Sequence, residues 1–348
     1  MSILSLARPD IIALQAYSHA SWDPAFERLH ANELPWRAET DRSIAGLNRY
    51  PEPHPHVLTQ RLAELYGVSS GQLLPGRGSD ESIDLLVRGF CRAGVDNVVI
   101  CPPTFGMYAV AARIQGAQVR EVPLVTTRGF ALDVERVLAS CDANTRIVFL
   151  CSPNNPTGNA MDLAAIEQLL VTLANRSLVV VDEAYIEFSG DESLTAALGR
   201  FPNLVVLRTL SKAFGLAGAR VGSLIAAPEI VALLGKVIPP YSIPQLTIEA
   251  VLATLAAPQL AIQRERVAQV RAERERLAAA LANCGRVQKI WPSVANFLLV
   301  DFADAQGVLG AARAAKLLIR DMRNVSPQSL RISVGSPEQN DRLIRSLA

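Results

Sequence analysis

From about residue 57 to residue 240 the chain repeats one pattern: a short apolar run, a longer stretch with helical spacing, then another apolar run. Val98-Val99-Ile100-Cys101, Ile147-Val148-Phe149-Leu150, Leu178-Val179-Val180-Val181, Leu204-Val205-Val206-Leu207 and Val221 to Ala226 read as strands buried on both faces. Glu81 to Cys91, Met107 to Ile114, Asp162 to Leu173 and Glu229 to Gly235 read as the helices between them. Repetition of strand, helix and strand predicts an α/β fold with a largely parallel sheet wrapped by helices.

After Tyr241 and Pro244 the texture changes. A long Arg/Glu/Ala-rich helix is predicted over roughly Gln245 to Cys284 with a break near Pro258, followed by strand-like Phe297 to Val300 and Leu330 to Val334. This is a second, smaller α+β layer. The expected division is an N-terminal arm with part of the small domain over 1–45, a large domain over 46–243 and a small domain over 244–348.

Composition narrows the function. A chain of 348 residues that is 50% hydrophobic and 19% charged folds, and 34 basic against 33 acidic side chains create no field for a nucleic-acid backbone. The stretch RERVAQVRAERERL mixes signs at i,i+4 spacing, as a solvated helix face does. No apolar stretch reaches the about 18 residues that a membrane helix needs, and Arg8, Pro9 and Asp10 interrupt the N-terminus, so a cytoplasmic location without membrane contact is expected. The five cysteines show no C-x-x-C spacing and read as buried thiols, and His19, His54 and His56 show no metal-ligand spacing. No metal is expected.

The unusual polar residues fall just after the apolar runs. In an open α/β sheet the carboxyl ends of the strands form the ligand crevice, so these segments are expected to converge in one site. Lys212 follows a strand and two hydroxyl residues and precedes Ala213-Phe214-Gly215-Leu216-Ala217-Gly218, a small apolar segment that lowers an ammonium pKa. Such a lysine suits covalent attachment to a carbonyl, although a surface lysine or a Ser-Lys dyad matches the dipeptide alone. Asp182, after Leu178-Val179-Val180-Val181, is costly to bury without a cationic partner, and a protonated pyridine nitrogen is such a partner. Tyr185 offers a phenol three residues on, and Asn155 sits in a turn shaped by Pro153, Pro156 and Gly158. Gly76-Arg77-Gly78-Ser79-Asp80-Glu81 leads into a helix whose free amides suit a phosphate, and Arg220 can help neutralise it. Together these residues describe a pocket for a phosphorylated pyridine aldehyde.

The motifs LHANELPW (29–36), RYPEP (49–53), GSDE (78–81), PPTFGMY (102–108), CSPNNPTGN (151–159), VVDEAYIEF (180–188), RTLSKAFGLAGARVG (208–222), ANF (295–297), LIRDM (318–322) and LRISVG (330–335) occur in order over nearly the whole chain. The sequence thereby resembles the fold-type I, class-II pyridoxal-phosphate-dependent aminotransferases, and among them the histidinol-phosphate aminotransferase family. NNPTG with DEAY and SKAFGLAGxRxG is specific for the cofactor type; the terminal motifs point to the branch.

The resemblance implies a mostly parallel seven-stranded sheet between helices plus a smaller α+β domain, and pyridoxal 5'-phosphate as cofactor. It makes Lys212 the amine that joins the cofactor aldehyde, Asp182 the partner of the ring nitrogen, and Asn155 and Tyr185 the donors to the phenolic oxygen. Gly78, Ser79, Asp80, Thr209, Ser211 and Arg220 would hold the phosphate region. Phe105 matches the aromatic expected to stack on the ring, with Tyr108 the fallback.

Arg331 matches an arginine that grips an acidic end of the substrate, and Arg320, with Tyr17 and Tyr50 of a neighbouring subunit, suits a phosphate. Asn32 is expected to order the N-terminal arm over the site, and Tyr50 implies a homodimer with composite sites. His30 departs from the asparagine usual in relatives and reads as structural. The implied reaction exchanges amino groups between L-histidinol phosphate and 2-oxoglutarate, in histidine biosynthesis. An aromatic amino-acid aminotransferase or a phosphothreonine decarboxylase on the same scaffold is the alternative. A pyridoxal-phosphate-sensing regulator needs a basic DNA-binding module, for which there is no room.

Overall fold

The computed structural model describes residues 2–347. Seven strands form the large sheet: β1 (Leu73–Gly76), β2 (Asn97–Ile100), β3 (Gln118–Glu121), β4 (Thr145–Cys151), β5 (Leu178–Asp182), β6 (Leu204–Thr209) and β7 (Gly222–Ala226), in the order β1-β7-β6-β5-β4-β2-β3. Strands β2 to β6 that pair with one another are parallel, whereas β7 is antiparallel to both β6 and β1. The sheet is thus one reversed strand away from fully parallel, and its seven strands agree with the expected number.

All five apolar runs are strands. The sequence pattern missed β1 and β3 for physical reasons. Strand β1 contains Pro75 and Gly76 and pairs on one side only, where a missing N–H is tolerated. Strand β3, Gln-Val-Arg-Glu, is an edge with partly exposed side chains and has no apolar run to show.

Alternation along the strands sorts side chains to two faces. Ile147, Phe149, Leu178, Val180, Val205 and Leu207 pack with helices Ser79–Phe90, Met107–Gln115 and Pro228–Gly235 on one face. Val148, Leu150, Val179, Val181, Leu204 and Val206 pack with helices His56–Tyr66, Leu163–Thr172 and Gln245–Thr254 on the other. Each fully buried Val, Leu or Ile contributes about 1.5–3 kcal/mol relative to exposure, which locks the register.

The C-terminal part carries a four-stranded antiparallel sheet, β8 (Val287–Ile290), β9 (Phe297–Phe302), β10 (Arg320–Asp321) and β11 (Ser329–Ser333), in the order β10-β11-β9-β8. The long helix expected over Gln245 to Cys284 is two helices, Gln245–Thr254 and Ala257–Ala282, meeting at 74° with Pro258 in the first turn of the second. Leu298, Val300, Leu330 and Ile332 face the helices of this layer, so Phe297, Leu299 and Arg331 face the large sheet. The two sheets share that seam.

The N-terminal residues Ile3, Leu6 and Ala7 pack into the large-sheet core beside Ile230 and Leu234 rather than against the small sheet. Residues 14–55 form turns and bends only. Many of their large apolar side chains are exposed, among them Tyr17, Phe26, Leu29, Trp36 and Ile44. Of the five free cysteines, Cys91, Cys101 and Cys151 are buried while Cys141 and Cys284 are half-buried. Among the described residues, no single helix is long and apolar enough to cross a membrane.

Candidate active site

Strand direction assembles the site. The parallel strands β2, β4, β5 and β6 end at one edge of the sheet, and the chemically loaded segments follow those ends. Strand β7 runs the other way, so its first residue, Gly222, and Arg220 before it arrive at that same edge. Strand β1 is antiparallel to β7 and therefore ends there too, delivering Gly78 and Ser79. The result is a cleft of about 970 Å³ whose lining contains Gly78, Ser79, Asp80, Phe105, Asn155, Asp182, Tyr185, Thr209, Ser211, Lys212, Arg220, Arg320 and Arg331.

Asp182 lies at the floor as the last residue of β5, 2% exposed. Its Oδ2 accepts a hydrogen bond from Tyr108 Oη at 2.8 Å and its Oδ1 accepts one from the Ala184 amide at 3.1 Å. Burial nevertheless pushes its pKa up to about 6, against the pull of those two donors and of Lys212. It is an acid still short of positive charge.

Tyr108 is fully buried, stacked at 4.8 Å on Phe149. It does not line the cleft, so the fallback assignment is corrected: Tyr108 braces Asp182, whereas Phe105, half-buried and edge-on to Tyr108 at 5.6 Å, is on the lining. Burial and the neighbouring Asp182 carboxylate raise the Tyr108 pKa, so it remains a donor.

Lys212 shares the cleft lining with Asp182, its Nζ 5.6 Å from the centre of the Tyr185 ring. Solvent reaches it through the cleft mouth, yet partial burial and the nearby Arg331 and Arg220 guanidiniums lower its pKa. Tyr185 is buried, and loss of solvation raises its phenol pKa. The second acid of DEAY turns to the other face of the sheet. Glu183 there accepts hydrogen bonds from Ser193 and the Leu194 amide and pairs with buried Arg208 at 3.5 Å.

The two asparagines of the turn divide the work. Asn154, fully buried, donates to Pro103 O at 2.8 Å and to Thr157 Oγ1 at 2.6 Å and so builds the loop. Asn155 faces the cleft, where its Oδ1 accepts a hydrogen bond from Arg331 Nη1. Arg331 Nε is buried with no hydrogen-bond partner. Arg320 is directly opposite Arg331 across β10 and β11, so both guanidiniums issue from one face of the small sheet.

The phosphate cup is a close approach of backbones. A Cβ on Gly222 would lie 2.5 Å from Gly78 C and Ser79 N, so only glycine lets β7 touch the Gly78-Ser79 turn. Gly78 has φ +83° and no side chain caps the helix it begins, leaving the amides of Ser79–Phe90 turned to the cleft. Arg220 reaches Asp80 at 3.1 Å and Ser211 Oγ at 3.5 Å, and Ser211 Oγ accepts from Thr209 Oγ1 at 3.1 Å.

These features fit the cofactor implied by the resemblance: a buried acid lacking a close cation, a lysine of lowered pKa on the same cleft lining, and an uncapped helix start with an arginine. Together they define a pyridine-aldehyde-phosphate site on a doubly wound sheet. Tyr17, Asn32 and Tyr50 lie outside this chain's cleft, on the exposed arm, and Tyr50 stacks on Tyr241 at 4.7 Å. The cleft also contains Cys151 and Met322, within quoted motifs but given no role, and Asn324 and Val325, outside them. Only their closeness in sequence to Asn155 and Arg320 could have signalled them.

The family model described as aminotransferase class I and II matches residues 24–347. The histidinol-phosphate aminotransferase of Stenotrophomonas maltophilia is 48% identical over 353 residues, covering 99% of this chain and 96% of that one. That of Xylella fastidiosa is 47% identical over 359 residues, covering 99% and 96%. Among solved structures, the histidinol-phosphate aminotransferase of Sinorhizobium meliloti in complex with pyridoxal-5'-phosphate is similar at 26% identity and TM-score 0.75, over 87% of this chain and 84% of that one. The chain belongs to the class I and II aminotransferase family, within it to the histidinol-phosphate aminotransferases.

Proposed function

We propose that the cleft catalyses pyridoxal-phosphate-dependent transamination between L-histidinol phosphate and 2-oxoglutarate, giving imidazole-acetol phosphate and L-glutamate, in histidine biosynthesis in the cytoplasm. The observation that carries the reading is the presence of Lys212 and the under-neutralised Asp182 on one cleft lining together with Arg320 and Arg331. When bound, the cofactor supplies an aldehyde that exchanges amines and a ring that accepts the electron pair of a broken Cα–H bond.

The chain does the rest. Lys212 would hold the aldehyde and would carry the Cα proton on Nζ, a task suited to its lowered pKa. Asp182, which accepts the Tyr108 hydroxyl, would keep a proton on the ring nitrogen. Asn155 and the Tyr185 phenol would serve the phenolic oxygen, and Phe105 would cover the ring. Ser79, Thr209, Ser211, Arg220 and the helix amides behind Gly78 receive the phosphate, with Asp80 orienting Arg220. Arg331 receives the acidic end of the substrate and Arg320 the substrate phosphate, so that one pocket takes a phosphate in one half-reaction and glutamate carboxylates in the other.

Tyr17, Asn32 and Tyr50 are proposed to complete the cleft of a second copy of the chain. The exposed apolar side chains of the arm support this, since a surface of that kind needs a cover. The proposed domain boundaries remain 1–45, 46–243 and 244–348.

The test is an absorbance titration of the purified enzyme with histidinol phosphate, beside assays with phenylalanine and phosphothreonine. The long-wavelength absorbance of lysine-bound cofactor is expected to shift with histidinol phosphate and to be missing in K212A. D182A is expected to lose ~10²–10³ in kcat while keeping the fold. Turnover retained in both variants removes the assignment; a preference for phenylalanine removes Arg320 as a phosphate ligand, and release of carbon dioxide from phosphothreonine favours the decarboxylase.

A further inference from the structure

Arg274, on helix Ala257–Ala282, is 7% exposed, and the one acid it pairs with among the described residues, Glu275, points to solvent with 72% of its side chain exposed. Burying a guanidinium without a buried acid is costly, so its hydrogen bonds must place it there. Nη1 donates to two backbone carbonyls, Ala295 O at 3.0 Å and Phe188 O at 3.3 Å. These carbonyls belong to the two sides of the seam. Phe188 lies on the short helix Ile186–Ser189 directly after Tyr185, whereas Ala295 stands two residues before the start of β9.

Phe297, the first residue of β9, continues the path into the cleft. Its ring meets Tyr185 edge-on at 5.2 Å, and the Arg331 guanidinium lies over it at 5.2 Å. Tyr185 in turn faces Lys212. One buried cation therefore holds together the segment carrying a large-sheet site residue and the strand whose ring supports the acid-binding arginine.

We propose that Arg274 is a positioning residue: by bridging Phe188 and Ala295 it sets the seam at the spacing at which Phe297 holds Tyr185, on the cofactor side, and Arg331, on the substrate's acidic group, in register with one another. The inference rests on the reading of the cleft as a transaminase site in which Arg331, with its free Nε, receives the substrate's acidic group. Without the bridge, β9 and β11 shift relative to Lys212, and binding of the acidic group suffers more than bond breaking at saturation.

Three variants test it. R274M keeps an apolar stem and removes both hydrogen bonds, R274K returns a donor, and F297L leaves Arg274 in place but removes the ring. Each holoenzyme is compared with the wild type by KM and kcat, by the dissociation constant of 2-oxoglutarate from calorimetry, and by the absorbance of lysine-bound cofactor. R274M and F297L are expected to raise KM and the dissociation constant about tenfold with kcat within about threefold and an unchanged absorbance, and R274K to recover most of the loss.

A folded, cofactor-loaded R274M with wild-type KM and dissociation constant overturns the proposal, whatever its Tm. Should R274M fail to fold, the same result in F297L does so. If R331Q leaves 2-oxoglutarate binding untouched, the reading of the cleft falls and the proposal with it.

Discussion

At Asp182 the protein leaves a charge unbalanced. Burial holds its pKa at about 6, whereas the same carboxyl in a solvated chain ionises near 3.8. Between those values the folded state keeps a proton that the unfolded state has released, so stability falls as pH rises through the window. Above it the fold is weaker by about 2–3 kcal/mol. In cofactor-free protein, D182N is expected to melt at a higher temperature than wild type at pH 8 and at the same temperature at pH 4. Coincident melting curves at both pH values would show that the carboxylate is not desolvated. A cationic ring nitrogen in the cleft reverses the penalty, which is why this acid suits that partner. The position of Asp182 was legible because a carboxylate ending an apolar run has few bland explanations. Tyr108 was not: its bond to Asp182 spans 74 residues and leaves no polar mark in PPTFGMY.

Elements converge because strand directions differ. Arg220 precedes its strand where the other site residues of the large sheet end or follow theirs, and only the reversal of β7 puts it beside Ser79. The apolar runs announced five strands but not their directions, because side-chain periodicity is identical for parallel and antiparallel pairing. The contact of β7 with the Gly78-Ser79 turn is testable. G222A introduces a Cβ 2.5 Å from backbone atoms that have no freedom to yield, and is expected to cost about 1–3 kcal/mol and to release the cofactor on dialysis. G218A, with nothing within 4 Å of its new methyl, is the control and is expected to keep both stability and cofactor. Equal cofactor retention in the two variants would argue that the cup does not depend on that approach.

For the molecule as a whole, the N-terminal arm is the part that its own chain does not explain. It is tied down by polar contacts: Glu33, nearly buried, pairs with Arg28 and Arg49 and accepts the Tyr50 amide at 2.7 Å, and Glu249 accepts the Ile44 and Ala45 amides at 3.1 Å. Its apolar side chains remain outside. If Tyr50 serves the cleft of a second copy, a mixture of K212A and Y50A subunits builds one intact cleft in each mixed dimer. Refolding equal amounts of the two inactive proteins together is then expected to recover about a quarter of wild-type activity by random assortment. No recovery, with mixed dimers demonstrated by affinity tagging, would confine Tyr50 to its own chain.

The sequence by itself determined the α/β alternation and many of the residues that line the cleft, because buried strands need apolar runs and the ligand edge concentrates unusual polar residues. Tertiary structure alone decided which aromatic braces Asp182, how the seam sets Arg331 against Tyr185, and that Tyr17, Asn32 and Tyr50 stand apart from this chain's cleft. Those relations join residues far apart in the chain, through directional hydrogen bonds and packing distances that no local periodicity encodes.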